Sequence, residues 1–284
     1  MGKYRKILVA VDGSEAGKNA LRQAIKLSCT EGCWVTAASV IPPYSGDLAL
    51  TSIGNIKKSL MEPAEKALSE AQEIAKAERA AMKTVCEEGE VHEKIVDLAE
   101  GENFDLIVMG KRGRHRLERA LIGSVVARVI GYTEKDVLVV PDGTAIGWKT
   151  ILISTDGSRY SEVAIARAMD FAKSYDGKLK VVSVVDVPSE YYAEAPKAVE
   201  DLTKKAKGFV NDVKKKAEAS NIDAETFVGE GEAYKVITDL AKKEKADVIV
   251  MGSHGRTGIK RLLMGSVTEG VIGHASCPVL IVKP

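Results

Sequence analysis

Two stretches of spaced glycines, each ending in Gly-Ser, have the composition of a phosphate-binding loop. They contain Gly110, Gly113, Gly123 and Ser124 in one half of the chain and Gly252, Gly255, Gly265 and Ser266 in the other. Glycines have no Cβ, so backbone N–H groups can come close to a ligand. Each Gly-Ser opens a predicted helix, whose N-terminal N–H groups attract anions. Each stretch therefore predicts a phosphate site.

A second motif, Asp-Gly-Ser, ends the first apolar run of each half, at 12–14 and 156–158. The serines are good helix N-caps, and Asp12 and Asp156 could accept hydrogen bonds from a ribose or a base amine. Either motif alone is a common turn, but both recur in register in both halves, which favours a ligand site. If aspartate and glycines share one ligand, strands 1 and 4 must be neighbours. This favours sheet order 3-2-1-4-5 over 2-1-3-4-5.

These motifs lie in a unit of about half the chain that occurs twice in the sequence. Asp12 and Asp156 are 144 residues apart, and Gly110 and Gly252 are 142 apart. Short apolar runs alternate with segments of helical periodicity, which predicts an α/β fold with a mainly parallel five-stranded sheet in each half. We expect Rossmann-like α/β sandwich domains over 1–144 and 145–284. The strands are expected at 7–11, 35–41, 84–87, 105–109 and 137–140, and at 151–155, 179–185, 225–228, 247–251 and 279–282.

Two segments of the first half depart from simple alternation. The helical run over 57–82 contains Pro63, which predicts a helix that starts there or is kinked there. The loop over 42–56 carries Leu48, Leu50 and Ile53 and could be a lid, a partner contact or a mobile segment.

The totals exclude several classes of protein. The 41 basic and 40 acidic side chains give a net charge of +1, so no global attraction to nucleic acid or membrane follows. The apolar runs are strand-sized, which predicts a cytoplasmic protein without a membrane partner. The four cysteines are expected to be reduced and mostly buried, with a Cys29–Cys33 redox pair as the lesser alternative, and their spacing does not suggest a zinc site.

The spacing G-x2-G-x9-G-S, the Asp-Gly-Ser motifs and the closing "CPVLIVKP" together resemble the universal stress protein family, in its ATP-binding branch. The resemblance covers essentially the whole chain. It implies an adenine nucleotide (ATP, ADP or AMP), with Mg²⁺ accompanying ATP. It also implies pairing of the two domains through their fifth strands, and a homodimer is left open. The implied nucleotide-binding residues are Asp12, Val40, Met109, Gly110, Arg112, Gly113, Gly123, Ser124 and Val125 in the first half, and Asp156, Val184, Met251, Gly252, His254, Gly255, Gly265, Ser266 and Val267 in the second.

The second half matches the family pattern more closely. The first has Lys111-Arg112 where the second has Ser253-His254, and "YTEKDVLVV" where the second has "HASCPVLIV". The fifth strand of the first half is therefore predicted on a weaker pattern than that of the second half. The basic loop of the first half, with Arg114, Arg116 and Arg119, either holds phosphates or is a solvated face partly balanced by Glu118.

Three functions compete. The favoured one is a nucleotide-binding stress or regulatory protein with little or no turnover and no catalytic residue. The first alternative is a slow ATPase or a phosphoryl- or nucleotidyl-transferase, and the second is an interaction module without a ligand. Phosphoryl transfer needs metal ligands and a group that positions the nucleophile, and no second acid stands beside Asp12 or Asp156 in the motif.

We predict that ATP turnover is weak or absent, because the motifs bind phosphate but supply no evident base. A steady-state assay of phosphate release should give a rate far below about 10 per second, a typical enzymatic value. Turnover at that rate would show that the protein is an enzyme.

Overall fold

The computed structural model describes residues 4–43, 55–113, 122–255 and 264–284, apart from the side chains of 55–57 and 60. The chain divides into two compact units, Met1–Gly143 and Thr144–Pro284. The expected boundary, between residues 144 and 145, lies next to this division. Most of the predicted loop over 42–56, including its three apolar residues, lies outside the described ranges.

The first unit alternates strands and helices. Its elements are β1 (Lys6–Ala10), α1 (Glu15–Glu31), β2 (Trp34–Ile41), α2 (Asn55–Ala77), β3 (Met82–Glu88), α3 (Val91–Gly101), β4 (Leu106–Gly110), α4 (Ser124–Tyr132) and β5 (Asp136–Val140). The strands pair in parallel in the order β3-β2-β1-β4-β5. The predicted α/β class and strand order are confirmed for this half.

The second unit repeats this plan. Its elements are β6 (Thr150–Ser154), α5 (Arg159–Tyr175), β7 (Lys178–Val185), α6 (Tyr191–Glu194), α7 (Pro196–Ala219), β8 (Ala224–Glu230), α8 (Ala233–Lys243), β9 (Val248–Gly252), α9 (Ser266–His274) and β10 (Val279–Val282). Within this unit the parallel order is β10-β9-β6-β7-β8, again with the first strand beside the fourth. The short helix α6 follows β7, and the residues that follow β2 in the first half lie largely outside the described ranges.

The central strands are buried because both faces of the sheet are apolar. Ile7, Leu8 and Val9 of β1 are completely buried, as are Ile151, Leu152 and Ile153 of β6. Helices cover such strands with one apolar stripe, and α1 does so with Ala20, Leu21, Ala24 and Ile25. Continuous apolar strands of this kind are typical of parallel sheets covered on both faces.

The long helix α2 differs from the prediction at both ends. It begins at Asn55 and contains Pro63 inside it, so the expectation that the helix starts at Pro63 is wrong. It ends at Ala77, followed by a turn in which Arg79 has a left-handed backbone (φ 54°), and β3 begins at Met82. Proline removes one backbone donor and crowds the preceding turn, but a packed helix can absorb that cost.

The unusual sequence before β5 is explained by a hydrogen bond that only the first half makes. The hydroxyl of Tyr4 donates to Asp136 Oδ2 at 2.9 Å, and both residues are buried. The residue 144 positions after Tyr4 is Trp148, which stacks on Phe171 with ring centroids 3.9 Å apart. In the second half, Pro278 stands before β10 where Asp136 begins β5. The aromatic residue before the first strand thus contacts the fifth strand in the first half and helix α5 in the second.

In each half a contact between a histidine and a tyrosine joins the helix before the fourth strand to the helix before the fifth. His92 at the start of α3 contacts Tyr132 at the end of α4, with ring centroids 5.6 Å apart. At the matching positions, Tyr234 of α8 contacts His274 of α9 at 4.8 Å. The two residue types have changed places, and the ring contact is kept in both halves.

The second half also carries a buried lysine. Lys180 of β7, whose side chain is 5% exposed, lies 2.7 Å from Glu225 and 2.9 Å from Glu244. Burial alone would lower the pKa of Lys180, but its hydrogen bonds to the two carboxylates outweigh burial and the pKa is raised. The first half has Thr36 at this position.

The four cysteines are unpaired in the structure, but the expectation that they are mostly buried is wrong. Only Cys277 is buried, Cys33 is half-buried, and Cys29 and Cys86 are exposed because they lie on the outer faces of their elements. Burial, reinforced by the charge of Glu31, raises the pKa of the Cys33 thiol to about 11. Thiolates are the reactive form, so this shift disfavours Cys33 as a redox nucleophile.

The Tyr4–Asp136 bond generates a stability prediction. Tyr4→Phe should lower the free energy of unfolding of the first half by about 1–3 kcal/mol, because a buried carboxylate loses a hydrogen-bond donor. Tyr132→Phe also removes one hydroxyl, but from a side chain that is 62% exposed, and should change stability far less. Urea unfolding followed by circular dichroism would compare them, and equal effects would contradict this account.

Candidate functional site

The Asp-Gly-Ser and glycine motifs meet at the carboxyl ends of β1 and β4. The two strands are neighbours, with Ala10 paired to Met109. A Cβ built on Gly113 would lie 2.6 Å from Asp12 Oδ2, and one on Gly255 would lie 2.9 Å from Asp156 Oδ2. The structure therefore brings the aspartate and the second glycine into contact in both halves, as a shared ligand requires.

The Asp-Gly-Ser turn is built in the same way in both halves. Asp12 Oδ1 accepts a hydrogen bond from the backbone N–H of Ser14 at 3.0 Å, and Ser14 Oγ caps α1 by accepting one from Gly17 N–H at 3.1 Å. The glycine between them is left-handed, with φ 77° at Gly13. The turn thus uses Oδ1 of the aspartate and directs Oδ2 toward Gly113.

The second half repeats this turn around Asp156. Its Oδ1 accepts from Ser158 N–H at 3.0 Å, and Ser158 Oγ accepts from Ser161 N–H at 3.2 Å. The predicted N-cap serines are confirmed as caps of α1 and α5.

The first glycine of each motif has a structural reason that the sequence did not reveal. A Cβ on Gly110 would lie 2.6 Å from the carbonyl carbon of Ala16, and one on Gly252 would lie 2.7 Å from Tyr160 Cβ. These neighbours belong to the N-termini of α1 and α5. The glycine is therefore needed for helix–strand packing, whereas we had expected close approach of a ligand.

The third glycine is different. Gly123 and Gly265 are the N-caps of α4 and α9, with ordinary φ angles of −64° and −69°. A Cβ on either would have its nearest neighbour at 3.5 Å, an ordinary contact. Among the described residues, neither the backbone nor the packing requires glycine at these two positions.

The N-termini of α4 and α9 present backbone donors at this edge. Neither helix has a side-chain N-cap bond. The N–H groups of the first turn of a helix have no partner within the helix, and Ser124-Val125 and Ser266-Val267 stand at these positions. An anion above the helix would accept their hydrogen bonds.

The first half encloses a cavity of about 520 Å³ at this edge. All nine residues predicted for the first half line it: Asp12, Val40, Met109, Gly110, Arg112, Gly113, Gly123, Ser124 and Val125. Its wall also includes Ala10, Gly17, Ala38, Pro63 and Ile95, which sequence reasoning missed. Comparing the two halves position by position could have flagged Ala10, Gly17 and Ala38, because each is smaller than its counterpart in the second half.

Positive charge gathers at one side of this cavity. Arg112 Nε is buried and has no hydrogen-bond partner among the described residues. Burial, and next the charge of Arg112, lower the pKa of the neighbouring Lys111, while Asp142 opposes this effect. An anion in the cavity would give the guanidinium an acceptor and would favour the charged lysine.

The second half places its predicted residues in the same order along the edge. Met251 and Gly252 end β9, Val184 lies near the end of β7, and Gly255 faces Asp156. His254 takes the place of Arg112. Its Nδ1 lies 3.1 Å from Ser253 Oγ, and its ring contacts Tyr160 with centroids 5.3 Å apart.

Several basic residues of the predicted loops cannot be placed. Arg114, His115, Arg116, Glu118 and Arg119 lie outside the described ranges, as do Arg256, Lys260 and Arg261. Within the described ranges, no group of three or more His, Cys, Asp or Glu side chains could hold a metal ion.

The universal stress protein family model matches residues 3–141 and again 147–283. The chain belongs to the universal stress protein family. A universal stress protein of Methanocaldococcus jannaschii is 41% identical over 142 residues, which cover 48% of this chain and 82% of that protein. The two matches make this chain a tandem, two-domain universal stress protein.

A solved structure has the same fold over nearly the whole chain. A universal stress protein from Archaeoglobus fulgidus covers 99% of this chain and 97% of its own, with 20% identity and a TM-score of 0.74. A universal stress protein solved in complex with cAMP is 26% identical and covers 49% of this chain and 99% of its own, with a TM-score of 0.40. No described helix is both long and apolar enough to cross a membrane.

The packing of the first glycine generates a prediction. Gly110→Ala should destabilise the first half by about 1–3 kcal/mol, because its Cβ would collide with the backbone of Ala16. Gly101→Ala, at the end of α3, has nothing within 4 Å of the new Cβ and should be neutral or slightly stabilising. Thermal unfolding would measure both, and an unchanged transition in Gly110→Ala would refute the packing explanation.

Proposed function

We propose that this universal stress protein binds an adenine nucleotide in the cavity of its first half and serves a regulatory role in the stress response, with little or no turnover. The observation that carries the proposal is the cavity itself. It lies at the point of the sheet where strand order reverses, which is where open α/β sheets bind ligands. Its volume is within the usual range for small-molecule sites, and all nine predicted residues of this half line it.

The two sides of the cavity suit the two ends of a nucleotide. Val40, Met109 and Ile95 offer an apolar surface on which a flat purine can pack. Asp12 lines the same cavity beside Gly113, and its carboxylate can accept hydrogen bonds from ribose hydroxyls. The preference for adenine over other bases rests on the family resemblance.

The phosphates are assigned to the residues around the N-terminus of α4. There the N-terminus of α4, opened by Gly123 and Ser124, offers backbone donors, and Arg112 offers a guanidinium with an unmet donor. Charge-assisted hydrogen bonds of this kind are about twice as strong as neutral ones. If Mg²⁺ accompanies ATP, it would be held mainly by the phosphates, with Asp12 the sole carboxylate among the described residues that line the cavity.

The same wall argues for binding over turnover. Phosphoryl transfer needs a group that positions or deprotonates the nucleophile. One oxygen of Asp12 is already engaged in the Asp-Gly-Ser turn, and Arg112 cannot act as a base. Bound nucleotide would therefore act by stabilising the form of the protein that binds it.

Three further expectations stay predictions. They are the pairing of the two domains through their fifth strands, a homodimer, and a location in the cytoplasm. A nucleic-acid or membrane partner is not part of the proposal.

The proposal is tested by titration calorimetry of the whole chain with ATP, ADP, AMP and cAMP, and with GTP to test the base. At least one adenine nucleotide should bind. Asp12→Asn should lower the affinity for that nucleotide about 10- to 100-fold. The asparagine keeps Oδ1 for the turn but replaces the oxygen that faces Gly113, so one hydrogen bond to a charged acceptor is lost.

The control is Asp97→Asn, the same substitution at an exposed position of α3. It should leave affinity unchanged. Mass spectrometry of small molecules released from the purified protein would identify any nucleotide that co-purifies. A wild-type chain that binds none of these nucleotides would refute the proposal.

A further inference from the structure

The two halves differ in the residues beneath their strand tips. In the first half the cavity wall includes Ala10, Gly17 and Ala38. The matching positions of the second half, 144 residues later, are Ser154, Ser161 and Val182. Ala10 pairs with Ala38 in the sheet, and Ser154 pairs with Val182, so the replacements are side by side. At every one of the three positions the second half has the larger side chain.

Two of these larger side chains, Val182 and Ser161, are buried or hydrogen-bonded within the second half. Val182 is completely buried. Ser161 Oγ donates to the carbonyl of Ser158 at 2.9 Å and lies 3.3 Å from Thr155 Oγ1, which itself accepts a hydrogen bond from Gly157 N–H. The hydroxyls under the tip of β6 therefore bond within the protein.

The first half lacks a side chain at the equivalent of Ser161. A Cβ on Gly17 would lie 3.0 Å from Asp12 Oδ1 and 3.3 Å from Ser14 Oγ. Glycine therefore leaves room beside the carboxylate assigned to the nucleotide. In the second half, Ser161 places a Cβ and a hydroxyl at this position.

The residues assigned to phosphate also differ between the halves, and the difference favours binding in the first half. His254 is engaged within the second half, through Ser253 and the ring of Tyr160. Its counterpart Arg112 has a buried donor without a partner among the described residues, and Tyr160 corresponds to Ala16. Arg112 and Lys111 also bring positive charge where the second half has histidine and serine.

From these differences we propose that the two halves are not equivalent and that each chain binds one nucleotide, in the first half. The second half keeps the motifs of the family but has larger side chains at these three positions. The inference rests on the proposed nucleotide site and adds the number of ligands and their location. It assigns the small residues Ala10, Gly17 and Ala38 as those that make the first half a binding site.

The third glycines provide a matched pair of variants. Gly123→Ala and Gly265→Ala introduce the same methyl group at N-caps of nearly identical geometry, each with its nearest neighbour at 3.5 Å. Any cost to folding should be similar in both. Titration calorimetry with the nucleotide that binds most tightly should give one site per wild-type chain. Gly123→Ala should lower the affinity for this nucleotide at least tenfold, and Gly265→Ala should leave affinity and stoichiometry unchanged.

A second variant tests the cavity wall. Ala38→Val gives the first half the residue of the second and should reduce affinity at least tenfold, whereas Val182→Ala should leave the single site intact. Circular dichroism establishes that each variant is folded. If Ala38→Val does not fold, the Gly123 and Gly265 pair still decides the question.

The outcomes separate the two proposals. Two sites of similar affinity per chain, or one site lost in Gly265→Ala and retained in Gly123→Ala, would overturn the inference and leave nucleotide binding intact. A wild-type chain that binds no nucleotide would overturn the proposed function and this inference with it. One site that Gly123→Ala weakens and Gly265→Ala does not would support both.

Discussion

Helix α1 starts so close to the end of β4 that no side chain fits between them. This contact, between Gly110 and the backbone of Ala16, determines the geometry of the whole edge. It fixes the helix whose N-cap is Ser14, and through the Asp-Gly-Ser turn it fixes the carboxylate of Asp12. Because β1 and β4 are neighbours, that carboxylate meets Gly113. The second half obeys the same constraint with Gly252 and Tyr160, so the scaffold of the site is kept even where its contents differ.

The duplicated chain shows which interactions can be exchanged without changing the fold. Tyr4, which bonds to Asp136 of β5, is replaced by Trp148, which stacks on Phe171 of α5. The histidine and tyrosine that join α3 to α4 are exchanged between helices in the second half. The histidine–tyrosine contact is preserved, whereas the aromatic residue before the first strand has a different partner in each half. By contrast, the differences around the strand tips change the space available there.

Much of the fold could be predicted from the sequence, because its signals are local or repeated. Apolar runs marked the strands, the serines marked the starts of α1 and α5, and the coincidence of two motifs required β1 beside β4. The start of α2 could not be predicted from Pro63, because proline limits a helix without forbidding its continuation. The reason for Gly110 was also hidden, since its neighbour Ala16 is distant in sequence. The cavity wall depends on side-chain size at positions that carry no motif.

The stacking of Trp148 on Phe171 also gives the protein an uneven optical signature. The chain has two tryptophans, one in each half. Trp148 is 6% exposed, whereas Trp34, at the start of β2, is 72% exposed. Emission from a tryptophan shifts to longer wavelength when water reaches the ring, and Trp34 is already in water. Intrinsic fluorescence therefore reports the melting of the second half and is nearly blind to that of the first.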